Sequence, residues 1–333
     1  LLILSCLWLF SLLTVGSASV LRSAVMFSFI TLGKTIFTKH SSVYNSLAAS
    51  AFAMLIYNPY YLWDVGFQLS YLAVTGIVIF QKPIYNLVYV KNKWVNKIWE
   101  MLAITLAAQI LTFPVCIYYF HQFPNLFLIT NLIAVPLSTI ILFAEIVLVA
   151  FSWIPFVGMY LGKITGWLVW LMNKIILWIN DFSFAVWDKI PANVASTWLL
   201  YAVVIGISVW LINKNKKVLR FSLFALLAFV MQHAYDNWQI KNQQKIIVYN
   251  VPQHQAIDFV HGNKYIFHGD SVLLEDGMLQ NFHLKPGRIA LQLNNRTDSI
   301  KSITSYLPFH QFGNKKILII DRPLVFEKKK KKI

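Results

Sequence analysis

The chain has 333 residues, of which 58% are hydrophobic and only 13% charged. Soluble domains carry about 25% charged residues, so a single soluble globular fold is excluded and a membrane protein is expected. The formal charge of +16, from 29 Lys and Arg against 13 Asp and Glu, points to phosphate, nucleic acid or anionic lipid as partners.

Apolar runs follow one another from the first residue to about Gln232. Candidate spans lie near 1–15, 20–37, 43–57, 65–80, 101–120, 125–151, 157–179, 196–212 and 218–232. A straight span needs about 20 apolar residues, so the shorter runs are read as re-entrant or interfacial. The run 1–15 lacks the basic flank of a signal peptide, and the chain reads as a piece of a longer protein. After a linker at 233–244 the pattern changes to short β-rich runs over 245–327. Strands are predicted at Lys245–Asn250, Ala256–Val260, Lys264–His268, Ile289–Leu293 and Ile317–Ile320, with a hairpin turn at His261-Gly262-Asn263-Lys264. The last six residues, 328–333, contain five consecutive lysines, a solvated tail or an accident of a truncated reading frame. The expected fold is an α-helical polytopic membrane protein of about nine spans over 1–232, with a small C-terminal β-rich soluble domain.

Loop charges predict the orientation. Lys34, Lys39, Lys82, Lys91, Lys93, Lys97, Lys214, Lys216, Lys217 and Arg220 fall on one set of alternate loops, and the opposite set carries Lys189 alone. Positive residues accumulate in short cytoplasmic loops, which places the β-rich region outside the cytoplasm.

Polar groups inside hydrocarbon need a partner or a cavity, and they supply the candidate site residues. These are Arg22, Asp64, Gln68, Gln109, Asn131 and Glu145. Four of them also have a plainer role. Arg22 and Glu145 can reach the headgroups, Asp64 can serve the N-terminal end of a helix, and Gln68 can bond between helices. Pro114 and Pro136 each remove a helical hydrogen bond inside a long apolar run. Lys163, Gly166, Asn173, Lys174 and Asn180 give span 157–179 one polar face, suited to a cavity or to an interfacial helix. Two cysteines, Cys6 and Cys116, exclude a disulfide framework and any zinc site needing several thiolates. His254, His261 and His268 stand seven apart, and His283 and His310 stand alone, so no metal site is expected. No Ser/His/Asp set and no phosphate-cradling loop is present, so neither cofactor nor enzymatic activity is expected.

Four segments together resemble the ComEC family of competence proteins, inner-membrane channels for DNA uptake in bacteria. They are Ser19-Val20-Leu21-Arg22-Ser23-Ala24-Val25-Met26; Asn58-Pro59 followed by Asp64-Val65-Gly66-Phe67-Gln68-Leu69-Ser70-Tyr71-Leu72-Ala73-Val74; Ala107-Ala108-Gln109 with Thr112 and Pro114, leading into Tyr119-Phe120-His121-Gln122-Phe123; and Asn131-Leu132 with Pro136. Order and spacing agree over about 17–150, with weaker similarity to about 232. The resemblance implies passage of single-stranded DNA across the bacterial inner membrane. It also implies a DNA receptor outside and a helicase-like motor or an ion gradient inside. On this reading Arg22, Gln68, Gln109 and Asn131 line or brace the conduit. The family's upstream soluble domain is not represented, and 245–277 resembles only the first hairpins of a metallo-β-lactamase-like domain, without its His-x-His-x-Asp-His motif. Two other readings stay open. One is a transporter or membrane enzyme for a small anionic or lipid substrate, with Arg22, Asp64 and Glu145 forming a compact site. The other is an inactive fragment.

Overall fold

The computed structural model describes residues 2–13, 18–36, 42–275, 277–293, 295–297, 303–306, 309–312 and 315–318. Lys39 and the lysine run Lys328 to Lys332 lie outside the described residues. The chain divides into two units, 1–229 and 230–333.

Each apolar run forms a helix. In chain order these are α1 (Leu2–Leu13), α2 (Ala18–Ile36), α3 (Val43–Tyr57), α4 (Val65–Tyr85), α5 (Lys93–Phe120), α6 (Phe127–Phe151), α7 (Pro155–Asn180), α8 (Val194–Asn213) and α9 (Lys216–Lys241). Among the described residues five helices, α4, α5, α6, α8 and α9, are long and apolar enough to cross a membrane. At 28 residues α5 spans about 42 Å, whereas the 15 residues of α3 reach only about 22 Å. α7 has the length, with 26 residues, but Lys163, Asn173 and Lys174 lower its hydropathy. Asparagines begin three of the helices. Asn92 accepts from the Trp94 N–H ahead of α5, Asn193 shares a reciprocal pair of bonds with Ser196 ahead of α8, and Asn215 accepts from the Lys217 N–H ahead of α9.

The core of this unit lies between α4 and α5, where Phe80, Ala107 and Leu111 are buried against Leu72, Ile84, Ile110 and Tyr201. Small residues let the two backbones approach. A Cβ at Gly76 would collide with the Ala107 carbonyl, which belongs to backbone and cannot swing aside. Gly76→Val is therefore expected to cost about 1–3 kcal/mol. It should lower the melting temperature of the detergent-purified protein, while Gly166→Ala, with nothing within 4 Å of the added methyl, leaves it unchanged.

The segments before α6 and after α7 are joined. β1 (Phe123–Pro124) pairs antiparallel with β2 (Val186–Trp187), Asn125 donates to the Ala185 and Phe184 carbonyls, and the Ile190 N–H donates to the His121 carbonyl at 2.9 Å. The α6–α7 hairpin therefore begins and ends at one side.

In the second unit β3 (Gln244–Val248), β4 (Ala256–His261) and β5 (Lys264–Gly269) form an antiparallel meander, and β6 (Asn295–Arg296) joins β5 in parallel. The predicted turn is present: His261 pairs with Lys264 across two residues, and Gly262 has φ 58°, a backbone conformation open to a residue without Cβ. A second sheet is built from β7 (Ile303–Tyr306), β8 (Phe309–Phe312) and β9 (Lys315–Leu318). Residues 319–320 of the last predicted strand lie outside the described residues.

The segment read as a linker is helical as far as Lys241, where α9 ends. One strand expectation fails. The predicted strand Ile289–Leu293 is instead the end of α10 (Lys285–Ala290) and the turn after it. Pro286 sits in the first turn, where its missing N–H costs nothing. Arg288 on the same turn is drawn onto buried Asp258 by bonds from Nε at 2.8 Å and Nη2 at 3.0 Å, and this pairing overrides the local β preference.

Tyr249 donates to the same Asp258 carboxylate at 2.8 Å. Burial, with the Asp258 charge beside it, pushes the Tyr249 hydroxyl above its ordinary 10.0. Folding therefore favours the neutral phenol. Its contribution is complete below pH 10.0 and is lost as pH rises through the higher folded value. Thermal melts across alkaline pH should show this loss, and Tyr249→Phe should remove that part of the pH dependence.

A candidate membrane-embedded polar site

The candidate residues that come together do so on α2, α3, α4 and α5. Asn58 accepts from the Tyr60 N–H and Pro59 opens a short 3-10 turn, Pro59–Trp63, that carries the chain from α3 to Asp64. Asp64 caps α4, its Oδ1 accepting from the Phe67 N–H at 2.6 Å. The same oxygen meets Arg22 Nη1 at 3.1 Å, so one carboxylate serves a helix end and an ion pair.

The Arg22 side chain is 7% exposed and that of Asp64 38%. Arg22 does not reach for headgroups, as its position near a span end had suggested; it is held inside the bundle. Its Nε is buried without a hydrogen-bond partner. Gly66 makes room for this group, since a Cβ there would stand 2.6 Å from Arg22 Nη2 and 3.1 Å from Asp64 Oδ1. The run Asp64-Val65-Gly66 is thus a seat for a guanidinium: an acceptor, then a gap.

One turn on, Gln68 Nε2 donates to the Leu62 carbonyl at 2.9 Å and to the Tyr119 hydroxyl of α5 at 3.3 Å. Tyr71 donates to Ser50 Oγ on α3 at 3.2 Å, and Ser50 in turn donates to the Leu47 carbonyl. Tyr57, Tyr61, Phe67 and Tyr71 follow as a chain of rings with centroids 6.5, 6.4 and 4.5 Å apart. Three of the links bridge helices: Arg22 to Asp64, Gln68 to Tyr119 and Tyr71 to Ser50. The arrangement holds four helices in register, and polar bonds of this kind are the glue available where lipid offers no hydrophobic drive.

The other three candidates stand elsewhere. Gln109 is half-buried on α5, Asn131 half-buried on α6 and Glu145 exposed on α6. α6 packs on α5 and α7, away from Arg22 on α2. Pro114 is fully buried, and one residue past the carbonyl it strands, the Tyr201 hydroxyl of α8 donates to the Leu111 carbonyl at 2.9 Å. Pro136 is exposed on α6. Sequence reasoning missed Ser50 and Tyr201, whose hydroxyls look like ordinary helix residues until their partners are known. Tyr71 and Tyr119 lie within the segments that carry the resemblance, but no role was read for them.

The polar face of α7 is exposed. Lys163, Asn173, Lys174 and Asn180 all reach solvent or lipid, with Trp167 and Trp170 between them. Lys174 Nζ lies 4.7 Å from the Trp170 ring centroid and Lys163 Nζ 5.8 Å from that of Tyr160. In the C-terminal unit His254 Nδ1 meets Asp270 Oδ2 at 2.8 Å, while His261 and His283 are exposed. Among the described residues no group of three or more His, Cys, Asp or Glu is placed to hold a metal ion.

These features can be set beside known proteins. The ComE operon protein 3 of Bacillus subtilis (strain 168) is 30% identical over 131 residues, which are 39% of this chain and 16% of that protein. The chain therefore matches only a small part of that relative's length. No solved structure matches. A model of the ComEC C-terminal domain matches residues 246–333. The model described as Competence protein matches residues 1–217, well over half of the sequence and all of the polar cluster, and the chain belongs to the ComEC family of competence proteins.

Proposed function

We propose that residues 1–217 form part of the passage by which a single DNA strand crosses the bacterial inner membrane during DNA uptake. The observation that carries this reading is the family match over that whole stretch. The Arg22–Asp64–Gln68 cluster has the role of a brace, fixing α2 to α5 so that a polar path can stay open beside it. The exposed lysines and tryptophans of α7 suit contact with the strand: cations meet phosphates, and indole faces stack on any base. The chain performs no nuclease or ATPase step in this reading. Force comes from a helicase-like motor in the cytoplasm or an ion gradient, and a receptor outside delivers the DNA.

In this reading about nine helices occupy the membrane, the shorter ones re-entrant or interfacial, with the C-terminal β region outside the cytoplasm. The joined ends of α6 and α7 support this, because the loops at 121–126 and 181–193 then share one face and α7 crosses together with α6. These are the loops that carry few positive charges. Single cysteines in place of Tyr60 and Asp181 should react with an impermeant reagent added outside whole cells. Cysteines replacing Asn92 and Asn215 should react only after permeabilisation. The reverse pattern would invert the topology.

A compact site for a small anionic substrate would need Arg22, Asp64 and Glu145 together, and Glu145 is on the wrong helix. The two readings separate by cross-linking. Cells expressing the complete gene and taking up DNA with photoreactive bases should yield cross-links within 1–217, including α7, on single-stranded product. Entry of DNA with no cross-link in this region would overturn the proposal.

A further inference from the structure

The turn between α8 and α9 holds a cavity of about 530 Å³ lined by Trp210, Lys214, Lys216, Leu219 and Arg220. Three of these five residues are cations. No Asp or Glu occurs between Asp188 and Asp236, so the local sequence supplies no counter-charge. None of the ion pairs among the described residues uses these cations.

The backbone organises them. Lys214 ends α8 in the left-handed region with φ 52°, its N–H bonded to the Trp210 carbonyl at 2.7 Å. Its ammonium lies 5.5 Å from the Trp210 ring centroid, which holds the charge over the indole. Asn215 caps α9 through the Lys217 N–H, which sets Lys216 on the first turn and Arg220 one turn later. The positive end of the α9 dipole adds to the same field.

The floor is different in kind from the rim. Trp210 and Leu219 are half-buried and apolar, and the helices run on from the cavity into lipid-facing side chains such as Leu211 and Phe221. A cationic rim over an apolar floor, at the end of two membrane-crossing helices, matches one chemistry: a phosphate ester joined to a hydrocarbon chain. We propose that this cavity is a binding site for the headgroup of an anionic phospholipid, with the phosphate among Lys214, Lys216 and Arg220 and the first chain carbons against Trp210 and Leu219. A polynucleotide would satisfy the cations and could stack a base on Trp210, but Leu219 and the lipid-facing Leu211 and Phe221 beyond it would contribute nothing. The site is separate from the Arg22–Asp64 cluster and does not depend on the DNA reading.

The test is native mass spectrometry of the full chain purified in detergent, offered equal amounts of phosphatidylglycerol and phosphatidylcholine. The triple variant Lys214→Gln, Lys216→Gln, Arg220→Gln is compared with Lys91→Gln, Lys93→Gln, Lys97→Gln, which removes the same charge from the basic stretch around the start of α5. Unchanged melting temperatures establish that both fold. Phosphatidylglycerol retention should fall at least about tenfold in the first variant and stay at the wild-type level in the second. Phosphatidylcholine retention should be the same in all three proteins. Equal loss in both variants would reduce the effect to general charge and overturn the site. Complete displacement of phosphatidylglycerol by inorganic phosphate would reassign it to a free anion. Loss of oligothymidylate binding in the first variant, with phosphatidylglycerol retained, would reassign it to nucleic acid.

Discussion

Asp64→Ala is expected to damage the membrane unit more than Arg22→Met, although the two residues are partners. Removing Asp64 leaves the Arg22 guanidinium 7% exposed with no counter-charge, and it strips α4 of its cap. Breaking a buried pair from this side costs about 3–5 kcal/mol, and partial hydration of the site through the exposed flank of Asp64 puts the loss at the lower end. Removing Arg22 leaves a carboxylate that water can reach and that still accepts from the Phe67 N–H. The double variant should be more stable than Asp64→Ala alone, because the stranded charge is gone and only the cap, worth about 1 kcal/mol, is missing. Melting temperatures in detergent measure all three. Equal single effects, or a double variant at the sum of the singles, would mean that the pair is not a buried brace.

The second large effect belongs to the C-terminal unit. Asp258 is fully buried and accepts from Arg288 twice and from Tyr249 once. Arg288 also lies 4.5 Å from the Tyr265 ring centroid and 5.3 Å from that of Phe267. Asp258→Ala should therefore cost about 3–5 kcal/mol by leaving a guanidinium unpaired in the core. Tyr249→Phe should cost about 1.5–3 kcal/mol, the value of one bond to a charged acceptor. Asp258→Leu combined with Arg288→Met should recover most of the loss, since an apolar pair of similar volume needs no solvation. Limited proteolysis of the full chain across 245–293, run beside thermal melts, gives the readout. Full tolerance of Asp258→Ala would remove this network from the account of the fold.

What could be read from the sequence follows from the range of the forces involved. Helices in the membrane unit are set by hydrocarbon length and backbone satisfaction, both local, so each apolar run marked a helix within a few residues at most ends. The β4–β5 hairpin was legible for a similar reason, since Gly262 and alternating strands encode it within fourteen residues. The strand expected at 289–293 was lost to a contact 30 residues away, between Arg288 and Asp258, which no local pattern contains. In the polar cluster, Arg22, Asp64 and Gln68 were visible because charge and amide groups are conspicuous in apolar runs. Their pairing was not, because 42 residues separate Arg22 from Asp64 and 51 separate Gln68 from Tyr119. Gln109, Asn131 and Glu145 carried the same signal without joining the cluster, which shows that polarity marks candidates and only geometry selects among them.

Labelled DNA scored separately in the periplasm and cytoplasm tests the central claim most directly. The comparison is between cells of the source organism lacking the gene and cells complemented with the complete gene, either unchanged or carrying Asp64→Ala. The account predicts DNA held outside the inner membrane in the deletion, cytoplasmic entry on complementation, and impaired entry with Asp64→Ala. Normal cytoplasmic entry in the deletion would contradict it.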